Sequence, residues 1–434
     1  MRLIKIMAWA VAMLLPLREG SRGLGAPPLP PEARTLVVDF GQSIGMSVPR
    51  VGFLGGLWDD TPDALIDPLH PTLWRIGHQF RKHIAGGLPA AIARVEKLGA
   101  TYKLVMSDLI DSKPRDYATY EAAVKKLVAS TGERAPAVIW EVANEPDEGY
   151  KPIDKYYELY AHAFKALREA NPSLSICGPS FAFPSYKKYQ AFLDYCRANH
   201  LECNDLSWHF TSWDASAPER QKLELGKMRE FLSAYPEQKI REIHCDEWGA
   251  GPDKPTPANP GRLQPGRAII WFYYLEDVFQ VDRACRADWG KADDYLGGLT
   301  TPQNEPYPAY HAYRFYGSTA GLERSPVTGN SPTLAALAYR SAAAPEAAAP
   351  IRQILFGSIA KPPSPVTLEL RNLGIDPAKV EIDLLPNTNL DAPMTEAQVP
   401  RSSDYTLDRR DGVVFLTLNK VEENQAYRVR LMKQ

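Results

Sequence analysis

The chain has 434 residues, 44% hydrophobic and 24% charged, ordinary proportions for a globular protein with room for one large domain and a small one. A formal net charge of −2, with acids and bases interspersed, leaves no basic stripe for a nucleic-acid partner. Five cysteines are few and odd in number, which excludes a disulfide scaffold.

Residues 1–26 read as a signal peptide. Arg2 and Lys5 give a positive start, Ile6–Leu17 is a short apolar run, and Leu24-Gly25-Ala26 offers small residues for cleavage. The run is short for a membrane span, and no later stretch suits one. The expectation is a secreted or periplasmic protein; an uncleaved signal acting as a tether is the alternative. Residues 27–50 contain a strand, Arg34–Phe40 (RTLVVDF), which stands before the main body.

Strand runs and helical runs then alternate. Strands are expected at Val51–Leu57, Leu73–Gly77, Tyr102–Met106, Ala137–Trp140, Leu174–Gly178, Leu206–His209, Ile240–Cys245 and Asp282–Ala287. They are rich in the β-branched and aromatic residues that buried strands favour. Helices are expected at Leu88–Leu98, Ala118–Ala129, Ile153–Ala170, Tyr189–Ala198, Ser216–Tyr235, Gly266–Gln280 and Tyr307–Tyr316. In Ile153–Ala170, Tyr157, Tyr160, Ala161, Phe164 and Leu167 are spaced for one helix face. Strands separated by helices imply parallel βαβ units. Eight units within residues 51–322 fit a (β/α)8 TIM barrel, whose usual size is about 250 residues. A doubly wound open sheet competes. It should carry a nucleotide fingerprint after its first strand; VGFLGGL has glycines but no following Lys-Ser/Thr or Gly-x-Gly-x-x-Gly pattern.

Beyond Leu322 the pattern changes. Short runs at Thr333–Arg340, Gln353–Ile359, Val366–Arg371, Val380–Leu385, Gly412–Leu418 and Ala426–Leu431 are separated by Gly, Pro and Asn turns. Residues 323–434 therefore read as an accessory all-β sandwich, with Arg34–Phe40 expected to join it. Cys177, Cys245 and Cys285 sit in apolar runs and read as small buried hydrophobes. Cys196 and Cys203 are close enough in sequence to pair in an oxidising compartment.

Two strand ends carry glutamates where a TIM barrel places its chemistry. The fourth strand runs into Trp140–Pro146 (WEVANEP), the seventh into His244–Ala250 (HCDEWGA). Glu145 and Glu247 would face each other across the mouth. Two opposed carboxylates are what glycoside hydrolysis needs: one protonates the leaving oxygen, the other attacks the anomeric carbon or activates water. A chance Asn-Glu-Pro and a strand-end salt bridge are the structural alternatives. Glu141 lies four residues before Glu145 and shares its face if the strand is regular; Asp246 should face away from Glu247. Asp108, His78 and Trp248 are further candidates at the mouth. His78 and His83 lack the i,i+4 spacing of a zinc helix, so neither a metal nor any other cofactor is expected.

The Asn144-Glu145-Pro146 triplet, with Glu247 ending the seventh strand, resembles clan A of the retaining glycoside hydrolases. Gly52–Leu57, Pro68-Leu69-His70-Pro71 and Leu73-Trp74-Arg75 resemble glycoside hydrolase family 39. That family includes β-xylosidases, α-L-iduronidases and some exopolysaccharide-processing glycosidases, and it combines a barrel with a β-sandwich. The resemblance covers most of the mature chain. It implies a carbohydrate substrate, Glu145 as acid/base and Glu247 as nucleophile. It also implies that Asn144 binds the sugar 2-hydroxyl, that Arg75 keeps Glu247 ionised, that His209 lies near the nucleophile and that Trp289 lies under the sugar. Structural roles for His209 and Trp289 remain open. Proton donation near neutral pH would require a raised pKa at Glu145 beside an ionised Glu247. A non-catalytic polysaccharide-binding or exopolysaccharide-assembly protein on the same barrel is the alternative function. The presence of both glutamates and Asn144 argues against it.

Overall fold

The computed structural model describes residues 35–55, 57, 59–77, 86–211, 217–249, 264–287, 296–341, 351–360, 362, 365–375 and 379–432. Residues 1–26, expected to be a signal peptide, and His78, His83 and Trp289 lie outside the described residues. Strand β1 (Thr35–Asp39) comes first. Eight parallel strands then close a barrel: β2 (Gly52–Leu54), β3 (Leu73–Ile76), β4 (Thr101–Val105), β5 (Val138–Glu141), β6 (Ser175–Phe181), β7 (Asp205–Thr211), β8 (Glu242–Gly249) and β9 (Arg283–Arg286). β9 pairs back onto β2 through Phe53 and Arg286, completing the TIM barrel.

The helices have local causes. Helix Tyr117–Ser130 starts where the Asp116 carboxylate accepts from the Ala118 and Thr119 amides, an N-cap. Helix Asp154–Ala170 buries Tyr156, Tyr160, Ala163 and Leu167 on one side, and Tyr160 meets Phe192 of helix Tyr186–Ala198 edge-on at 4.9 Å. The single helix expected over Ser216–Tyr235 is instead two, Ala217–Leu225 and Met228–Leu232. They part at Gly226, where a Cβ would come within 2.5 Å of the Lys222 carbonyl oxygen. Only glycine allows so tight a turn. The expected Gly266–Gln280 helix is α-helical over Pro265–Tyr273 and then widens into a π turn, Tyr274–Val278. No helix among the described residues is long and apolar enough to cross a membrane.

After the barrel come β10 (Glu323–Ser325), β11 (Val327–Thr328), β12 (Leu334–Arg340), β13 (Arg352–Ser358), β14 (Val366–Arg371), β15 (Lys379–Leu385), β16 (Tyr405–Arg410), β17 (Val413–Leu418) and β18 (Ala426–Met432). They form two five-stranded sheets, β11-β1-β14-β17-β16 and β10-β12-β13-β18-β15. β1 is an interior strand, parallel to β14 and antiparallel to β11. The inner faces bury Leu36, Val38, Ile354, Phe356, Leu368 and Leu416. β16, YTLDRR, escapes the sequence reading because it is a mostly exposed edge with no apolar stripe.

The two β-rich layers meet the barrel through helix Pro265–Tyr273, which lies on β12 and β13. Glycines allow the contact. A Cβ on Gly266 would come within 2.1 Å of the Ser358 oxygen, and one on Gly357 within 2.6 Å of Ile269. This helix follows β8, so the sandwich braces the strand that carries Glu247. All five cysteines are free and buried, so Cys196 and Cys203 are not bridged.

Candidate active site

The barrel interior changes character from one layer to the next. Leu73, Ile139, Cys177 and Cys285 form a small apolar layer. Two residues further along β3 and β5 the same inward face carries Arg75 and Glu141, both fully buried. Arg75 gives Nε to Glu141 at 2.7 Å and Nη2 at 2.5 Å, a fork-to-fork pair. Its Nη1 donates to Glu247 Oε1 at 2.6 Å, and Nη2 also reaches Asn144 Oδ1 at 2.7 Å. One guanidinium thus ties together the ends of β3, β5 and β8.

β5 ends at Glu141, not at Glu145. The chain then passes through Asn144, whose amide donates to Ser107 Oγ at 3.0 Å. Glu145 follows with φ 44° and ψ 56°, a left-handed conformation uncommon for a side-chain-bearing residue. Pro146 opens the short turn Pro146–Gly149. Glu141 and Glu145 therefore do not share a regular strand face. Glu141 is locked on Arg75 below, and Glu145 is lifted into the mouth. Asp147 clasps this loop to its neighbour, accepting from the Ala182 and Phe183 amides and pairing with Lys188 at 2.7 Å.

β8 departs from regular alternation too. Its register with β9 shifts between Cys245 and Trp248, as at a β-bulge. Asp246 therefore does not face away from the interior. It takes Lys103 Nζ at 2.5 Å inside the barrel, one layer below Glu247. Trp248 points outward instead, against Trp271 at 5.5 Å and stacked on Tyr313 at 6.0 Å. It belongs to the packing between barrel and helices and is no mouth-level contact. Asp108 sits in the turn after β4 with its carboxyl against Gly77, where a Cβ would fall 1.7 Å from Oδ2.

His209 completes the site. β7 shifts register at Trp208–His209, and the buried imidazole lies between the two carboxylates. Its Nδ1 is 2.9 Å from Glu145 Oε1 and 3.6 Å from Glu247 Oε2. One oxygen of Glu145, one of Glu247 and a ring nitrogen of His209 all lie within 4.8 Å of one another. Glu141, His209 and Asp246 form a similar set below, and Asp205, Glu242 and His244 a third at the barrel floor. Each set could offer ligands to a cation, but cationic side chains already lie on its carboxylates: Arg75, Lys103 and Arg283.

The charge order is the reverse of the one expected from the sequence. Glu145 is 30% exposed and Glu247 only 1%. Burial works against ionised Glu145, but the His209 hydrogen bond and charge, with the Arg75 charge, outweigh it and lower its pKa. For Glu247 burial wins over His209 and Arg75, Glu145 adds repulsion, and the pKa is raised. Burial disfavours the His209 cation, yet the Glu247 charge and the bond to Glu145 hold its pKa above the usual imidazole value. Lys103 was missed at the sequence level. Its signal was there: a lysine in the middle of an apolar strand, TYKLV.

Three comparisons bear on this geometry. Residues 110–274 match the model of the glycosyl hydrolases family 39. A beta-xylosidase of Geobacillus stearothermophilus is 24% identical over 243 residues, 47% of this chain and 47% of its own; the chain thus matches about half the length of that relative. Among solved structures, a protein of Neocallimastix frontalis superposes with a TM-score of 0.74 at 17% identity, covering 92% of this chain and 99% of its own. An enzyme of glycoside hydrolase family 39 from Xanthomonas axonopodis pv. citri gives 0.64 at 14% identity, over 96% of this chain and 100% of its own. A monomeric beta-xylosidase of Caulobacter crescentus gives 0.63 at 14%, over 92% and 100%. In the sequence of its central segment and in its fold, the chain resembles glycoside hydrolase family 39 and its clan A relatives.

Proposed function

We propose that the protein is a retaining glycoside hydrolase that cleaves O-glycosidic bonds of oligo- or polysaccharides by double displacement. The observation that carries this reading is Glu247. It is buried, held at Oε1 by Arg75, free of hydrogen bonds at Oε2, and within 4.8 Å of a Glu145 oxygen. Retention needs carboxyl groups about 5–5.5 Å apart, close enough for one to attack while the other moves a proton.

Glu247 Oε2 attacks the anomeric carbon as Glu145 gives its proton to the departing oxygen. The resulting glycosyl ester on Glu247 is cleaved by water, whose proton Glu145 takes back. The proton for the first step comes from the His209–Glu145 pair. A sugar seated over the half-exposed Glu145 removes water from it, and desolvation favours the neutral acid over the ion pair. The proton then crosses the 2.9 Å bond from Nδ1 to Oε1. Asn144 has its carbonyl taken by Arg75, which leaves its NH2 group to donate to a sugar hydroxyl. Residues 1–26 fit an export signal, and N-terminal sequencing of the secreted protein would test that.

The test is Glu247→Ala on an activated aryl glycoside, beginning with β-xylosides because two of the relatives bear that name. Turnover should vanish, and azide should restore it with a product of inverted configuration. Rescue of a Glu141 or Asp246 variant instead would overturn the assignment. Binding of a glycan without release, unchanged in Glu145→Gln, would favour the binding-protein alternative.

A further inference from the structure

A line of buried charge runs through the barrel from floor to mouth. Arg283 pairs with Glu242 at 2.7 Å, and Glu242 with His244 Nε2 at 2.8 Å. His244 Nδ1 lies 3.3 Å from Lys103 Nζ. Lys103 holds Asp246 at 2.5 Å and lies 3.8 Å from Glu141, which is the partner of Arg75. Lys103, Asp246 and Glu141 are fully buried, and the proposed mechanism does not use them. Yet an ion pair so deep is costly to build, because both charges leave water.

We propose that Lys103 is a positioning residue of this active site, which by neutralising Asp246 and Glu141 leaves the Arg75 guanidinium free to hold Glu247. The charges argue for it. Around Arg75 stand three buried carboxylates, Glu141, Asp246 and Glu247, and a half-exposed fourth, Glu145. Two fixed cations, Arg75 and Lys103, serve them together with His209. Lys103 in turn is faced by Asp246 and His244 from β8, Glu141 from β5 and Cys177 from β6. Without Lys103, Asp246 and Glu141 compete for Arg75, and Glu247 loses its share of that charge. Geometry follows charge here. Asp246 and Glu247 are adjacent on the bulge, so the Lys103–Asp246 pair also sets the backbone that aims Glu247.

The inference rests on the glycosidase reading only for its meaning; its test needs no turnover. Glutamate carboxyls labelled with carbon-13 are titrated by NMR in the full chain, with the Glu247 resonance assigned by its loss in Glu247→Gln. In Lys103→Met the Glu247 midpoint should rise by about one pH unit, and in Lys103→Arg it should return to the native value. Asp246→Asn, which buries no lone anion, should move the midpoint down, and it decides the matter if Lys103→Met does not fold. A Glu247 midpoint unchanged in folded Lys103→Met, or in Asp246→Asn, overturns the proposal. Where a hydrolysed glycoside is in hand, the acid limb of kcat/KM should move with the midpoint while KM stays within about twofold. A native protein that hydrolyses no glycoside would sink the glycosidase reading, and the titration would still judge Lys103.

Discussion

The ends of β5 and β8 each deliver a glutamate to the same mouth, and they do so in opposite ways. β5 stops early, and a left-handed Glu145 stands up into partly exposed space on a polar loop. β8 runs on, bulges, and keeps Glu247 buried under a guanidinium. The difference matches the work each end would do. A proton donor must meet water and a leaving oxygen, so its surroundings must change as substrate arrives and departs. A nucleophile must be fixed and dry, so its partners are built into the strands.

The sharpest way to break this comparison is to remove each carboxylate in turn. Glu247→Ala should lower kcat by a factor on the order of 10⁴ or more for every leaving group, since the attacking carboxylate of both steps is gone. Glu145→Gln should lose about 10²–10⁴ on poorly activated aryl glycosides and far less on dinitrophenyl ones, which leave unprotonated. Equal losses on both substrates would remove the acid role from Glu145.

His209→Asn tests what joins the two ends. The His209 hydrogen bond to Glu145 and its charge beside Glu247 favour the ionised carboxylates, so its loss should raise both pKa values. The acid limb of kcat/KM should therefore move up. A limb that moves down or stays would show that the imidazole is neutral between them. The smallest effect is expected at Trp248→Phe. Its side chain packs on Trp271 and Tyr313 outside the barrel, so stability should fall by about 1 kcal/mol. kcat should hold, as followed by denaturant melting and by assay; a loss of kcat at unchanged stability would return Trp248 to the mouth.

Much of the fold was legible because it follows from period and composition. Alternating apolar strands and amphipathic helices read as βαβ units; β14 keeps its expected boundaries, β3 and β18 differ from theirs by one residue at the C-terminal end, and β4 is shifted by one residue. The site was half legible. Asn144, Glu145 and Glu247 stand out as polar residues at the ends of apolar strands. Glu141 and Asp246 stood beside them; alternation put Glu141 on the inward face, where it lies, but assigned Asp246 the wrong direction. A bulge at Cys245–Trp248 and a left-handed turn at Glu145 change which way a side chain faces, and neither has a signature in a single chain. Trp248 failed as a candidate for the same reason.

The sequence by itself determined the barrel and singled out Glu145 and Glu247 as candidates, because both readings are local: a hydrophobic period and the residue that ends it. Only the tertiary structure decided how they are charged. Arg75, Lys103, Glu141, His209 and Asp246 come from five separate strands or strand ends, and their mutual distances exist only once the barrel closes. pKa depends on those distances and on exclusion from water. That is why the half-exposed Glu145 has the lowered pKa in the free site and the buried Glu247 the raised one, the reverse of what their proposed roles alone would suggest.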